Sequence, residues 1–140
     1  MLNFFKKDSK KSIDSPLTKM AALLIYAAKI DENYTNKEKE IIRKAIIELG
    51  SKNEKVDEIL IKAEGIEKNS NQILDFTKEI KNLNNDSKTK IIEILWNIIY
   101  SDTNPDIYEN NLMRRLTGLL YLDPKTVGDL KEKVKKKFIK

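Results

Sequence analysis

With 140 residues, 40% of them hydrophobic, the chain is long enough for one domain with one packed core. It holds neither cysteine nor histidine, which excludes disulfides, thiolate or imidazole zinc sites, and Ser-His-Asp or Cys-His nucleophilic machinery. The formal charge of +5 is unevenly spread: residues 1–19 carry +3, residues 131–140 carry +5 and residues 20–130 carry −3, so a mildly acidic body has basic ends.

Four glycines and three prolines favour long helices over a turn-rich β fold. Seven helical segments are expected. Ser15-Pro16 has the form of an N-cap with proline at the first helical position, followed by the stripe Leu17, Met20, Ala21, Leu24 and Ala28. The second segment covers 36–49, with Ile41, Ile42, Ala45, Ile46 and Leu49 on one face and Gly50 closing it. The third carries Val56, Ile59, Leu60 and Ala63 and is expected to stop near Gly65. The fourth follows Ser70, with Ile73, Phe76, Ile80 and Leu83, and residues 82–87 form a break rich in cap and turn residues. The fifth covers 87–101; Ile91, Ile94, Leu95, Ile98 and Ile99 give it a wide apolar face suited to a central position, with Trp96 at the margin. The sixth follows Asp106 and carries Leu112, Met113, Leu116, Leu119 and Leu120. The seventh begins at Asp123-Pro124, with Val127, Leu130, Val134 and Phe138. No segment alternates as a strand does. The fold class expected is all-α, a compact seven-helix bundle.

The first and second segments are echoed by the fifth and sixth in an internal repeat at an offset of 71 residues. Leu24 matches Leu95, Asp31 matches Asp102, Asn33 matches Asn104, and Glu38 matches Glu109. Ile41, Ile42, Arg43 and Leu49 match Leu112, Met113, Arg114 and Leu120. An apolar helix, an Asp turn, a Glu at the seventh position after the Asp and a second apolar helix, given twice, resembles the TerB-like family. That family includes tellurite-resistance TerB proteins and the N-terminal domain of the DjlA co-chaperone. The resemblance covers residues 16–138, although Glu32 and Thr103 stand where the family often has glycine. It implies a pseudo-symmetric helical fold with two helix–acidic turn–helix units, acidic positions that point to metal binding, links to membrane-associated stress systems, and no established catalytic activity. The organisation expected is a flexible basic tail over 1–14 and a TerB-like helical domain over 15–138.

Each acidic turn has a local explanation. Thr35 with Glu38, and Asp106 with Glu109, are spaced as capping boxes, each cap stabilising by about 1 kcal/mol. Capping does not account for Asp31 and Asp102, which fall at helix C-termini where a negative charge opposes the helix dipole. The functional alternative is a hard cation. Asp31, Asn33, Thr35 and Glu38 offer oxygens in one turn, and Asp102, Asn104, Asp106 and Glu109 in the other. Oxygen donors without His or Cys suit Ca2+, Mg2+ or Mn2+. The spacing begins like an EF-hand loop but has Asn36 and Ile107 at its sixth position and Ile42 and Met113 at its twelfth.

Three function classes follow. The first is a non-enzymatic binding or scaffold domain, holding a divalent cation or a basic partner patch at its acidic turns and linked to stress response. The alternative is an adaptor of the co-chaperone kind with a protein partner; a His-Pro-Asp tripeptide is impossible here, so any chaperone must act from another chain. The third, a metal-assisted hydrolase using Glu38, Asp102 and Glu109, lacks a nucleophile, a base and a phosphate loop. Arg114-Arg115 is either a solvated pair or a contact for an anion. Tyr26, Tyr34, Tyr100, Tyr108 and Tyr121 are either partly buried core or the rim of a groove. Leu2, Phe4 and Phe5 beside Lys6, Lys7, Lys10 and Lys11 form a short wedge for peripheral contact with an anionic membrane. Nucleic acid is disfavoured as a partner. No apolar run is of membrane-spanning length, and the N-terminal apolar run is too short for a secretory signal. The location expected is therefore cytoplasmic, including the inner face of the membrane.

Overall fold

Apolar side chains recurring every three to four residues produce seven helices among the described residues: α1 (Leu2–Lys29), α2 (Asn36–Glu48), α3 (Val56–Lys68), α4 (Leu74–Ile80), α5 (Asn85–Asp102), α6 (Ile107–Leu119) and α7 (Pro124–Phe138). The computed structural model describes residues 2–30, 34–70, 73–102 and 107–138, with side chains from Pro16 onward except that of Asp102. No strand occurs among them. The architecture is the all-α bundle expected.

Helix boundaries differ from expectation most at α1 and α3, while α5 opens two residues early, at Asn85. The first helix runs back to Leu2, so Pro16 lies inside it and does not open it. The helical φ that proline enforces lets the helix pass through, at the cost of one backbone bond to the carbonyl four residues earlier. Residues 14 and 15 are therefore not separated by a break in the helix. The third helix likewise continues through Gly65 to Lys68, glycine being tolerated inside a helix at a cost of about 1 kcal/mol. No helix among the described residues is long and apolar enough to cross a membrane.

The core centres on α1 and α5. Ala21, Ala22, Leu23, Leu24 and Ile25 are each 0% exposed, so α1 is buried on every side at this level. Its alanines allow close approach, and α1 packs against α2, α3, α4 and α5. On α5, Ile91, Ile92 and Leu95 are fully buried. Trp96, expected at the margin, is itself buried. The start of α7 covers it, and its indole N–H donates to the Val127 carbonyl at 3.2 Å. On the outside, Lys90 of α5 reaches Glu48 of α2 at 3.2 Å, an ion pair across the two halves, while Glu93 of α5 meets Lys133 of α7 at 2.8 Å within the second half.

The repeat extends beyond the first two helices of each half. At the same offset, α3 corresponds to α7, with Val56 and Ala63 matching Val127 and Val134, all buried. The ends of α2 and α6 share one hydrogen-bond pattern. Gly50 N–H donates to Ile47 and Ser51 N–H to Ile46, at 3.1 and 3.0 Å. Tyr121 N–H donates to Gly118 and Leu122 N–H to Thr117, at 3.2 and 2.9 Å. Both are Schellman motifs, which need a positive φ at the closing residue. Gly50 supplies it at φ 128°, and Tyr121 at φ 57°. The fold is two three-helix units, α1–α3 and α5–α7, joined by the short α4.

Candidate functional site

The first acidic turn lies between Lys29, where α1 ends, and Asn36, where α2 starts. Asp31 and Asn33 fall outside the described residues. Thr35 is the N-cap of α2, with an extended backbone at φ −83° and ψ 163°. Its hydroxyl oxygen accepts from the Glu38 N–H at 3.1 Å, while Glu38 Oε1 accepts from the Thr35 N–H at 2.9 Å and from the Thr35 hydroxyl at 3.2 Å. This is the reciprocal capping box that the spacing suggested. Glu38 is only 2% exposed. Its burial is tolerable because the backbone donors of the helix start and the positive end of the dipole meet the carboxylate.

In the second turn, α5 runs to Asp102 and α6 starts at Ile107. Asn104, Asp106 and the side chain of Asp102 lie outside the described residues. Glu109, the repeat partner of Glu38, sits in the first turn of α6 and is also buried, at 6% exposure. The two halves thus each place an inward carboxylate in the first turn of the helix that follows the acidic turn.

A lysine joins the two turns. Lys37, in the first turn of α2, donates from Nζ to the carbonyl of Ser101 at 3.0 Å, next to the end of α5. The described borders of the two turns therefore meet at one end of the bundle. The Tyr34 hydroxyl at this end is pushed up to about 12, first by burial and then by the carboxylates of Glu64, Glu38 and Glu67. Cations gather around the same ring. Lys29 and Lys39 lie 5.9 and 5.1 Å from the Tyr34 ring centre, and Lys29 pairs with Glu67 at 2.8 Å. Lys37, Glu64 and Glu67 were not among the sequence candidates. Lys37 was visible between Thr35 and Glu38, whereas nothing in the spacing ties the acids of α3 to this turn.

Among the described residues, no three acidic side chains converge as a metal-binding group. Ile107 and Tyr108, each 68% exposed, open α6 beside the second turn and give it an apolar rim. Tyr26, Tyr34 and Tyr100 pack into or against the core, while Tyr108 and Tyr121 are exposed. Arg115 is exposed on α6, and Arg114 lines a cleft between α6 and α7. The N-terminal wedge of Leu2, Phe4 and Phe5 with its lysines lies where side chains are outside the described residues.

None of the curated proteins and none of the solved structures matches the chain. The family model of the tellurite resistance protein TerB matches residues 17–132, from the second half of α1 into α7. With that match over an all-helical, internally repeated fold, the chain belongs to the TerB family.

Proposed function

We propose that the chain is a binding domain whose recognition end is the one where the two acidic turns meet, and that its ligand there is a hard divalent cation, Ca2+, Mg2+ or Mn2+. The observation that carries this reading is the hydrogen bond from Lys37 to the Ser101 carbonyl, which holds the border of one turn against the border of the other. The Tyr34 hydroxyl, raised first by burial, is raised further by the carboxylates of Glu64, Glu38 and Glu67, and these also attract a cation. Thr35 and Glu38 are engaged in capping. Asp31, Asn33, Asp102, Asn104 and Asp106 are accordingly the principal ligands in this reading, with Glu109 beside them. Lys37 is then a resident cation that a metal ion must outcompete. Family membership brings a stress-response setting to the proposal. We place the domain in the cytoplasm, with basic ends such as Lys135, Lys136 and Lys137 of α7 available to an anionic membrane face.

Calorimetric titration of metal-free protein with each cation tests this. One ion per chain is expected, bound at least about tenfold more weakly by Asp102→Asn and more tightly by Lys37→Met. No saturable heat at millimolar ion, or equal binding by Asp102→Asn, contradicts it.

A second reading, an adaptor of the co-chaperone kind for a protein partner, is favoured by exposed Ile107 and Tyr108 beside the same turn. It requires Ile107→Ser and Tyr108→Ser to abolish partner capture while leaving cation binding unchanged.

A further inference from the structure

The third helix of each half exposes a place where the two halves part. On the seam between α2 and α3, Arg43 pairs with Asp57, while Ile47 and Leu60 pack against the core. At the offset of 71, the matching positions between α6 and α7 hold Arg114, Gly128, Gly118 and Lys131. An aspartate and an isoleucine have become glycines, and a leucine has become a lysine. Where the first seam is closed by an ion pair and two apolar side chains, the second holds two cations.

A cleft of about 650 Å³ opens there, walled by Met113, Arg114, Gly118, Leu122, Gly128 and Lys131, with Trp96 at its floor. No carboxylate lines it. No ion pair to Arg114 occurs among the described residues, unlike Arg43 in the first half. Lys131 reaches Asn110 Oδ1 at 3.4 Å and stands 5.3 Å from the Trp96 ring centre. A Cβ on Gly118 or Gly128 would meet nothing within 4 Å, so packing within the chain does not require glycine at either position, although glycine is disfavoured inside helices. The volume suits a small ligand, for which about 300–1,000 Å³ is usual.

We propose that the α6–α7 cleft binds an organic anion with an apolar body. Arg114 and Lys131 take the anionic head, and the body lies over the two glycines against Met113, Leu122 and Trp96. The planar guanidinium meets a carboxylate or a phosphate ester in the same way, through paired N–H donors. The two head groups are separated by experiment.

Trp96 is the chain's single tryptophan, so its fluorescence reports on the cleft directly. The full chain is titrated with dodecanoate, dodecyl phosphate, dodecanol and inorganic phosphate, all below micellar concentrations. A saturable change is expected with dodecanoate or dodecyl phosphate, the tighter one naming the head group, and none with dodecanol or inorganic phosphate. Gly128→Asp and Gly118→Ile install the residues of the first half and should weaken binding at least about tenfold with the helical content retained. Arg114→Gln should weaken it as well, and decides the matter together with Gly128→Asp should Gly118→Ile fail to fold. The proposal is overturned by the absence of a saturable change with either amphiphile, by equal binding in Gly128→Asp, by an equal response to dodecanol, or by an acidic peptide that occupies the cleft when neither amphiphile does.

Discussion

The first and second halves of the bundle close their middle helices with the same backbone hydrogen bonds but not with the same residues. Gly50 meets the positive φ at the end of α2 without cost to a side chain, while Tyr121 meets it at the end of α6 with an exposed ring. A second difference accompanies the first: the buried Lys88 donates to the Leu120 carbonyl at 3.0 Å, capping α6, and lies 5.9 Å from the Tyr121 ring centre. Its counterpart in the first half is Leu17, a core residue. The backbone of the unit is kept in both halves while the seams between its helices differ. Of the inward positions, Leu24 with Leu95, Ile42 with Met113 and Val56 with Val127 remain buried and apolar, Lys88 against Leu17 being a buried exception. The seam positions, which face solvent in part, have changed charge and size.

The comparison is tested most severely in the core. Leu24→Ala and Leu95→Ala should each lower the free energy of unfolding by about 3 kcal/mol in urea titrations, because both side chains are fully buried. A nearly neutral result for one of them breaks the equivalence of α1 and α5. Smaller losses are expected at the caps. Thr35→Ala removes the hydroxyl that receives the Glu38 N–H and should cost about 1 kcal/mol. Asp106→Ala should cost the same if the second turn caps α6 as the first caps α2, and no measurable loss there would show that the turns differ. At the helix ends, Gly50→Ala should destabilise by about 1 kcal/mol through backbone strain alone, since no atom lies within 4 Å of the added Cβ. Tyr121→Gly should act in the opposite direction and by less than about 1 kcal/mol, relief of strain being partly offset by the lost contact with Lys88.

The alkaline limb separates the halves by pH. The Tyr34 phenol is neutral in both folded and unfolded chains below 10.0, and above that value the unfolded chain ionises first. Its contribution is therefore fully present below 10.0 and is lost as pH rises toward about 12. Position 105 is the counterpart in the second half and holds proline, which does not titrate. Tyr34→Phe should flatten the fall in melting temperature across that window, and an unchanged slope would assign the alkaline loss to other groups.

Helix number, the central role of α5 and the capping box at Thr35 and Glu38 were legible because each is carried by local spacing. Thr35 and Glu38 needed only each other to be recognised. Pro16 misled because its fixed φ is equally compatible with the start of a helix and with its interior, and only the continuation on both sides decides between them. Trp96 misled because its burial depends on α7, which returns over it from distant sequence. The α6–α7 cleft was partly written in the sequence. Arg43 and Arg114 match in the repeat, whereas Asp57 and Gly128, further along the same register, do not. What makes that difference meaningful is the ion pair between Arg43 and Asp57, a contact across two helices that no spacing rule supplies.

Whether the two acidic turns act as one site is decided by two-dimensional amide NMR with substoichiometric Mn2+. A single bound ion should broaden the amides at 34–38 together with those at 101–102 and 107–109, and Asp102→Asn should restore both groups at once. Broadening confined to one turn, or none at millimolar Mn2+, would contradict the shared site and leave the turns as helix caps.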